Sequence, residues 1–289
     1  MHAKVDGILI SKMPYRERDI LGKLLLRNGQ KITVLFRNAR GGKRNKKTLN
    51  LELGYFLKTE VNKSNTGGAG AADDSFFAAN DWTLIWYHQR IRENLKAFYL
   101  MCLFLEMGLK VSLTASVFTL LNEQIISRPN LRAKNRDGEG VFSVLSNALF
   151  FLEDSLTKNS FNEERELILF SIKLLYSEGV GMNLSECIRC KMPFGKVYAV
   201  GLISKEGGFC CNSCSGSCSG VWEFSEFGEF SYLYGLIKQA LITKYRDYHL
   251  LRVKNSTIAT SATTKIIFNY FCQQFHFSPG EFKSIKSLL

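Results

Sequence analysis

The N-terminal part of the chain, up to Gln89, alternates apolar and polar residues with the two-residue period of β-strands. The clearest case is KITVLFR, in which Ile32, Val34 and Phe36 share one face of the strand. Further strands are predicted at VDGILIS, DILGKLLLRNG, GYFLKTEV and DWTLIWYHQ. Short strands of this kind, joined by turns such as Arg27–Gln30, predict a small β-barrel with Phe36 in its core.

After Gln89 the apolar residues recur at three- and four-residue steps, which is the period of helices. Ser160–Glu163 has the composition of a helix start, and Glu178-Gly179 has that of a helix end. The predicted fold class is therefore α+β and multidomain, with a barrel followed by an all-α domain. The predicted helical segments are residues 91–109, 112–127, 140–159, 161–179, 224–242 and 260–275.

Six of the eight cysteines fall in two neighbouring motifs, CIRC and GGFCCNSCSGSC. The N-terminus lacks the apolar core and cleavage site of a secretory signal, and the apolar run Ala97–Leu105 is too short to span a bilayer. A cytosolic location is therefore expected. Stable disulfides are not expected in a reducing cytosol, so the cysteines indicate thiol chemistry or a metal site.

The spacing of the cysteines favours metal. Cys187-x-x-Cys190 and Cys211-x-x-Cys214 enclose a gap of 20 residues, the layout of a four-cysteine zinc ribbon. No thioredoxin-like pattern surrounds Cys187, which argues against a redox C-x-x-C motif. We interpret these four cysteines as ligands of a structural zinc ion, and a metal-free pocket of buried thiols is the alternative.

The adjacent pair Cys210-Cys211 raises the question of which thiol is the ligand. Cys211 gives the two-residue spacing that lets one tight turn present both sulfurs, so Cys210 is predicted to be the spare. Cys218 could replace one of the four predicted metal ligands only by distorting the turn. Cys102 and Cys272 lie in apolar helical sequence and are assigned to the core. A four-thiolate site has no open coordination position, so it predicts stability rather than catalysis.

The formal charge of +12 is concentrated at the N-terminal end. Residues 1–63 carry a net charge of +10, and residues 64–289 carry +2. The densest basic run, FRNARGGKRNKKT, contains no acidic residue; a solvated loop is the alternative interpretation. The asymmetry indicates a polyanionic partner whose binding weakens with salt. The candidate nucleic-acid-binding residues are Arg16, Arg18, Lys23, Lys31, Arg37, Arg40, Lys43, Arg44, Lys46 and Lys47.

Aromatic residues near the basic run are candidates for stacking on nucleobases. Tyr15, Tyr55 and Phe56 are open to this role, whereas Phe36 belongs to the core face of its strand.

No catalytic constellation is visible, and the chain is not expected to be an enzyme. Gly42-Lys43 does not belong to a nucleotide-binding Walker A loop, because Arg37 occupies the position of its first glycine and Arg44 that of its Ser or Thr. The four histidines are scattered, and adjacent carboxylates such as Asp73-Asp74 point apart.

The order of a basic β-barrel, a helical domain, a four-cysteine segment and final helices resembles that of the RecO family of bacterial DNA recombination and repair proteins. The double glycine Gly207-Gly208 stands before Cys211 as it stands before that family's third ligand. CIRC, GGFCCNSC and the tail FHFSPGEFKSIKSLL continue the resemblance, whereas the Gly-rich stretch Ser64–Phe76 looks like an inserted hairpin connection. The N-terminal positions that fit the family's opening are Tyr15, Glu17, Asp19, Gly29, Ala39 and Arg40.

The resemblance implies an oligonucleotide-binding (OB) fold at the N-terminus and a non-enzymatic recombination mediator. Such proteins bind single- and double-stranded DNA and anneal complementary strands coated with single-stranded-DNA-binding protein, whose acidic tail they recognise. With RecR they load RecA. A cytoplasmic, nucleoid-associated location without membrane or nucleotide partners is expected. The alternative is a zinc-ribbon nucleic-acid-binding protein of transcription or translation that has no annealing activity.

The predicted organisation has four parts. A basic OB-fold DNA-binding domain occupies residues 1–88, and a helical domain occupies 89–182. A zinc-binding insert follows at 183–222, and C-terminal helices at 223–289 complete the helical domain.

Overall fold

The computed structural model describes residues 2–40, 51–63, 76–114, 140–216, 227–251 and 257–287. The chain divides into two compact units, Met1–Leu149 and Phe150–Leu289. The boundary between the units falls inside the predicted helical domain 89–182, and the four-part organisation stays a prediction.

The first unit contains a closed barrel of five strands, which confirms the predicted small barrel. Its strands are β1 (His2–Tyr15), β2 (Asp19–Leu26), β3 (Lys31–Phe36), β4 (Phe56–Lys63) and β5 (Phe77–Trp86). They are arranged in the order β1-β2-β3-β5-β4, and β4 pairs back onto β1. The β3–β5 pair is parallel and the other pairs are antiparallel. This five-stranded order is OB-like.

Strand β1 is longer than the sequence pattern predicted because it serves two neighbours. Residues 2–8 pair with β4 and residues 7–15 pair with β2, and the register of the β1–β2 pair shifts between Leu9 and Ser11. A bulge of this kind bends a strand, which allows one strand to close the barrel.

The barrel interior is filled by the alternating side chains that the sequence predicted. Phe36 is fully buried and meets Trp82 edge to face, with 5.2 Å between ring centroids, so its assignment to the core is confirmed. Other interior side chains are Leu9, Leu24, Leu26, Ile32, Val34, Leu57, Val61 and Phe77. Burial of these apolar side chains is the main source of stability in a barrel of this size.

Two helices follow the barrel within the first unit, α1 (Arg90–Glu93) and α2 (Leu95–Val111). Asn94 caps α2, since its side chain accepts a hydrogen bond of 3.0 Å from the Ala97 N–H. Helix α2 packs against β1.

Lys31, the first residue of β3, fastens the C-terminal end of α2 to the barrel. Its Nζ donates to the carbonyls of Leu109 and Ser112, each at 2.7 Å, and its backbone N–H donates to the Leu113 carbonyl at 2.7 Å. Burial, and then the nearby Lys23 ammonium, lower the pKa of Lys31. The carbonyls at the end of a helix carry partial negative charge and lack partners within the helix, so a cation stabilises them.

The second unit is largely helical. Its elements, with α3 containing the boundary between the units, are α3 (Val141–Thr157), α4 (Glu163–Ser177), β6 (Ala199–Ile203), β7 (Gly208–Cys211), α5 (Asn212–Ser215), α6 (Phe227–Ile242) and α7 (Thr257–Gln274). Helix α4 packs against both α6 and α7. Most of the predicted segment 112–127 lies outside the described residues.

The ends of α4 follow the sequence signals. Asn162 is the N-cap, and its side chain accepts a hydrogen bond of 2.8 Å from the Arg165 N–H. The helix ends at Ser177, and Gly179 has a φ of +77°, a conformation that favours glycine. The buried Lys173 of α4 donates to the Leu241 carbonyl at the end of α6, at 2.7 Å, so this unit also uses a lysine as a helix cap.

No helix in the described part of the chain has the length and apolarity needed to cross a membrane.

We predict that Lys31→Met lowers the free energy of unfolding by about 1 to 3 kcal/mol, because two carbonyls lose a charged donor. Lys58→Met, which changes an exposed lysine on β4, is the matched control and should have little effect. Urea unfolding of both variants measures the difference. Equal stabilities would contradict the structural role of Lys31.

Candidate functional site

The first cysteine pair lies in a tight turn before β6. The Cys187 N–H donates to the Met192 carbonyl and the Lys191 N–H donates to the Cys187 carbonyl, both at 2.9 Å. Lys191 adopts a positive φ of 60°, which reverses the chain after Cys190. The turn therefore brings Cys187 and Cys190 to the same side of the chain.

The second cysteine pair joins a strand to a single helical turn. Cys211 is the last residue of β7 and the N-cap of α5, and Cys214 lies within α5. Residues three apart on a helical turn lie on the same face, so both sulfurs point towards the first pair. The backbone N–H of Cys211 donates to the Sγ of Cys187 at 3.3 Å, which ties the two turns together.

The four sulfurs form one cluster that could hold a metal ion. Those of Cys187, Cys190, Cys211 and Cys214 all lie within 4.8 Å of one another, and the Cys190 and Cys211 sulfurs are 3.7 Å apart. A tetrahedral zinc ion about 2.3 Å from each thiolate sets neighbouring sulfurs about 3.8 Å apart, so the donor set and its spacing fit such an ion. Cys210 is buried outside this group, and Cys218 lies outside the described residues.

The charges of this cluster also favour a cation. Burial raises the pKa of Cys187, but the N–H groups of Cys190, Cys211 and Arg189 act on its sulfur in the opposite direction, and the resulting pKa is about 6. The thiols of Cys211 and then Cys190 raise the pKa of Cys214 to about 12. Four thiols this close cannot all ionise beside one another, and a bound divalent cation would remove that restriction.

Two glycines allow the second turn to approach the first. Gly207 has a φ of +74°, in the left-handed region that favours glycine. A Cβ on Gly208 would overlap the Cγ2 of Ile188 and lie 3.1 Å from the Cβ of Asn183. The Ile188 N–H also donates to the Phe209 carbonyl at 3.0 Å, so the two turns meet backbone to backbone.

Residues 180–216 carry both cysteine turns, and we call them the cysteine segment. Side chains from the helices hold this segment by donating hydrogen bonds to its carbonyls. Tyr234 of α6 donates to the Leu184 carbonyl at 2.7 Å, and its ring meets those of Phe194 and Phe209 edge to face. Gln274 of α7 donates to the Ser204 carbonyl at 2.6 Å. Tyr176 and Tyr270 donate in the same way to the carbonyls of Met182 and Val180. The cluster is therefore built onto the helices of its unit.

In the first unit, four of the predicted nucleic-acid-binding residues meet at one end of the barrel. Arg16 and Arg18 lie in the β1–β2 turn, and Arg37 and Arg40 follow β3. The Arg40 N–H donates to the Arg18 carbonyl at 2.8 Å, and its guanidinium donates to the Arg16 carbonyl at 3.4 Å. All four side chains are exposed. We call these four residues the arginine cluster.

The acidic residues beside the arginine cluster are few. Asp19 is engaged, because its Oδ1 accepts a hydrogen bond of 2.8 Å from the Asn38 N–H. Glu17 lies exposed in the β1–β2 turn. The end of the barrel therefore keeps a net positive charge.

The remaining predicted basic residues do not all join the arginine cluster. Lys31 caps α2 instead, as described above, and Lys23 is half-buried on β2 beside it. Charge counting along the sequence does not distinguish such a cap from a surface cation. Lys43, Arg44, Lys46 and Lys47 lie outside the described residues.

The candidate stacking residues have different surroundings. Tyr15 lies beside the arginine cluster, where the Arg16 guanidinium sits 5.2 Å from its ring centroid and Phe76 meets it edge to face. Tyr55 is buried, and the Arg27 guanidinium covers the ring of Phe56 at 4.8 Å. Tyr15 is thus the one of the three that adjoins the arginine cluster.

Comparisons with known proteins assign no family. No protein-family model matches the chain, and no curated protein matches it. Among solved structures, the asparaginyl-tRNA synthetase of Entamoeba histolytica in complex with asparaginyl-adenylate is similar over 63% of this chain at 12% sequence identity and a TM-score of 0.26. The chain covers 34% of that structure. A likeness this low carries no argument about fold or function.

We predict that Cys211→Ser abolishes stoichiometric binding of a divalent metal and lowers the melting temperature, because a structural thiolate site couples metal binding to folding. Cys210→Ala is the matched control, one residue away and outside the cluster, and should retain one ion per chain. Metal content by plasma mass spectrometry and thermal unfolding measure both variants. Loss of the ion from Cys210→Ala would contradict the ligand assignment.

We also predict that Gly208→Ala destabilises the protein by about 1 to 3 kcal/mol, since the added methyl group overlaps Ile188 in a packed region. Gly216→Ala is the control, because a Cβ there meets no atom within 4 Å. Chemical unfolding of both variants distinguishes them. An unchanged midpoint for Gly208→Ala would show that the two turns can separate without loss of stability.

Proposed function

We propose that this chain is a DNA-binding recombination mediator of the RecO type. In this role it binds single- and double-stranded DNA and anneals complementary strands coated with single-stranded-DNA-binding protein. Together with RecR it promotes the loading of RecA. It acts by binding rather than by catalysis, in the cytoplasm and at the nucleoid.

The observation that carries this proposal is the arginine cluster on an OB-like barrel. In OB folds the face of strands β2 and β3 and the β1–β2 and β4–β5 loops bind oligonucleotides. Arg16 and Arg18 belong to the β1–β2 turn, and the backbone N–H and guanidinium of Arg40 donate to the carbonyls of that turn, with Arg37 directly after β3. A known class of nucleic-acid-binding loop therefore coincides with a concentration of exposed guanidinium groups.

The physical chemistry of such a surface suits annealing. Arginine contacts to phosphate release condensed counterions, and they are largely independent of base sequence. Cations that neutralise two strands reduce the repulsion between them, so pairing can proceed without a nucleotide cofactor. Tyr15, next to Arg16, offers a ring on which an unpaired base can stack.

The four-cysteine cluster has a structural part in this proposal. Cys187, Cys190, Cys211 and Cys214 would hold a zinc ion, which supplies four metal–thiolate bonds and no open coordination position. Hydrogen bonds from Tyr234 and Gln274 attach the cysteine segment to α6 and α7. Partner proteins such as RecR and the acidic tail of the single-strand binder can then dock on a stable helical unit.

Strand annealing tests the proposal. Two complementary strands, each coated with single-stranded-DNA-binding protein, are mixed with the full chain in buffer that lacks ATP and contains a chelator of magnesium. We expect the chain to accelerate duplex formation. No acceleration by folded, metal-loaded protein would overturn the mediator role and favour a nucleic-acid-binding protein of another pathway.

We predict that the triple change of Arg18, Arg37 and Arg40 to Ala weakens binding of all DNA sequences by about tenfold or more. It should also reduce the slope of log affinity against log salt by about 2 for single strands, because each lost phosphate contact removes about 0.7. The control replaces the exposed residues Lys58, Arg90 and Lys96, which removes the same charge elsewhere on this unit. Anisotropy titrations at several salt concentrations measure the slopes. Equal slopes for the two triples would contradict the arginine cluster as the DNA site.

A further inference from the structure

The cysteine segment presents an open pocket on the surface of the second unit. Its volume is about 300 Å³, and its lining includes Phe194, Val197, Tyr198, Tyr234 and Lys238. Phe194, Val197 and Tyr198 come from the cysteine segment, and Tyr234 and Lys238 lie one turn apart on α6. No sequence motif joins them, since the pocket forms only when α6 packs on the segment.

The floor of the pocket is rigid and aromatic. The rings of Phe194 and Tyr234 meet edge to face with centroids 5.5 Å apart, and Tyr234 packs in the same way on Phe209 at 5.4 Å. The Tyr234 hydroxyl is fixed by its 2.7 Å hydrogen bond to the Leu184 carbonyl. The pocket therefore offers a fixed aromatic surface to a flat apolar group.

The rim of the pocket carries an exposed ring. Tyr198 has 73% of its surface exposed, the largest exposed fraction of any aromatic residue in the described part of the chain. Its ring therefore offers an accessible face beside the apolar lining of the pocket. Tyr198 is thus the side chain of the pocket that a ligand would cover most directly.

The charge around the pocket is positive. Lys196 lies two residues from Tyr198, Lys238 lines the pocket itself, and both are exposed. Two acidic residues of the cysteine segment pair with other cations: Glu206 with Arg189 at 2.5 Å, and Glu186 with Lys191 at 3.7 Å. Among the described residues, Lys238 in the lining and Lys196 close to Tyr198 in sequence are therefore the cations that a ligand of this pocket could use.

We propose that this pocket binds an unpaired nucleobase of single-stranded nucleic acid. Tyr198 stacks on the base, and Lys196 and Lys238 contact the flanking phosphates. The inference rests on the proposed DNA-binding function and adds to it a second contact, in the unit that does not contain the barrel. It also gives the cysteine segment a binding role beyond stability.

The combination of rings and cations favours this ligand. Every base offers a π-face to an aromatic side chain, and the phosphates on either side of it offer charge to lysines. A duplex buries its bases in the stack and presents only phosphates to such a pocket. An acidic peptide would satisfy the lysines, but it would cover the Tyr198 ring only if it also carried an apolar or aromatic side chain.

Titrations of the full chain test the proposal. A fluorescein-labelled single-stranded oligothymidine and a labelled duplex of the same length are titrated with the wild-type protein and with Tyr198→Ala, Tyr198→Phe and Phe150→Ala. Phe150 is the matched control, an aromatic residue of the same unit that is 51% exposed and does not line the pocket.

We expect Tyr198→Ala to weaken single-strand binding by about fivefold or more, since stacking of one base contributes about 1 kcal/mol or more. Duplex binding should be unchanged. Tyr198→Phe, which keeps the ring, should bind like the wild type, and so should Phe150→Ala.

Several outcomes would overturn the inference. Equal single-strand affinities for Tyr198→Ala and Phe150→Ala would remove the pocket from the binding surface, while leaving the barrel's role intact if wild-type protein still binds. Failure of the wild type to bind either oligonucleotide would instead overturn the proposed function. Binding of an aspartate-rich peptide, lost in Tyr198→Ala while single-strand affinity is unchanged, would assign the pocket to a protein partner.

Discussion

Four cysteine sulfurs within 4.8 Å of one another are the constraint on which the second unit depends. Their separation fits a tetrahedral metal ion, and a bound cation would relieve their mutual repulsion as thiolates. Two contacts keep the sulfurs close together. Gly208 lacks a Cβ that would overlap Ile188, and the Cys211 N–H donates a hydrogen bond to the Cys187 sulfur. Tyr234 then joins the segment to α6 and forms the floor of the pocket. A metal ion held by the cluster would therefore link the helix packing to the proposed base-binding site.

The first unit uses positive charge in two distinct ways. Lys31 directs its ammonium at the carbonyls that end α2, where it stabilises the fold. The arginine cluster instead directs its charge at solvent, where phosphate can reach it. The difference lies in what each side chain meets in three dimensions. It explains why a basic sequence holds both cations that stabilise the fold and cations that face solvent.

Much of the architecture could be predicted from local patterns. The alternation around Phe36 was sufficient to predict the barrel strand, the composition of Ser160–Glu163 to predict the start of α4, and the two-residue spacing to predict that Cys211 rather than Cys210 joins the cluster. Long-range contacts could not be predicted in this way. The Lys31 side chain meets carbonyls 78 and 81 residues away, and Tyr234 meets Leu184 across 50 residues. No period or motif encodes such pairs, because they depend on how finished elements pack.

The central claim is that the arginine cluster of the barrel binds nucleic acid. Hydrogen–deuterium exchange of the full chain, with and without a saturating single-stranded oligonucleotide, tests it most directly. The account predicts slower exchange in the β1–β2 turn and in residues 37–40, because their amides lie beside the bound phosphates. Unchanged exchange in both segments, in protein shown to bind the oligonucleotide, would contradict it.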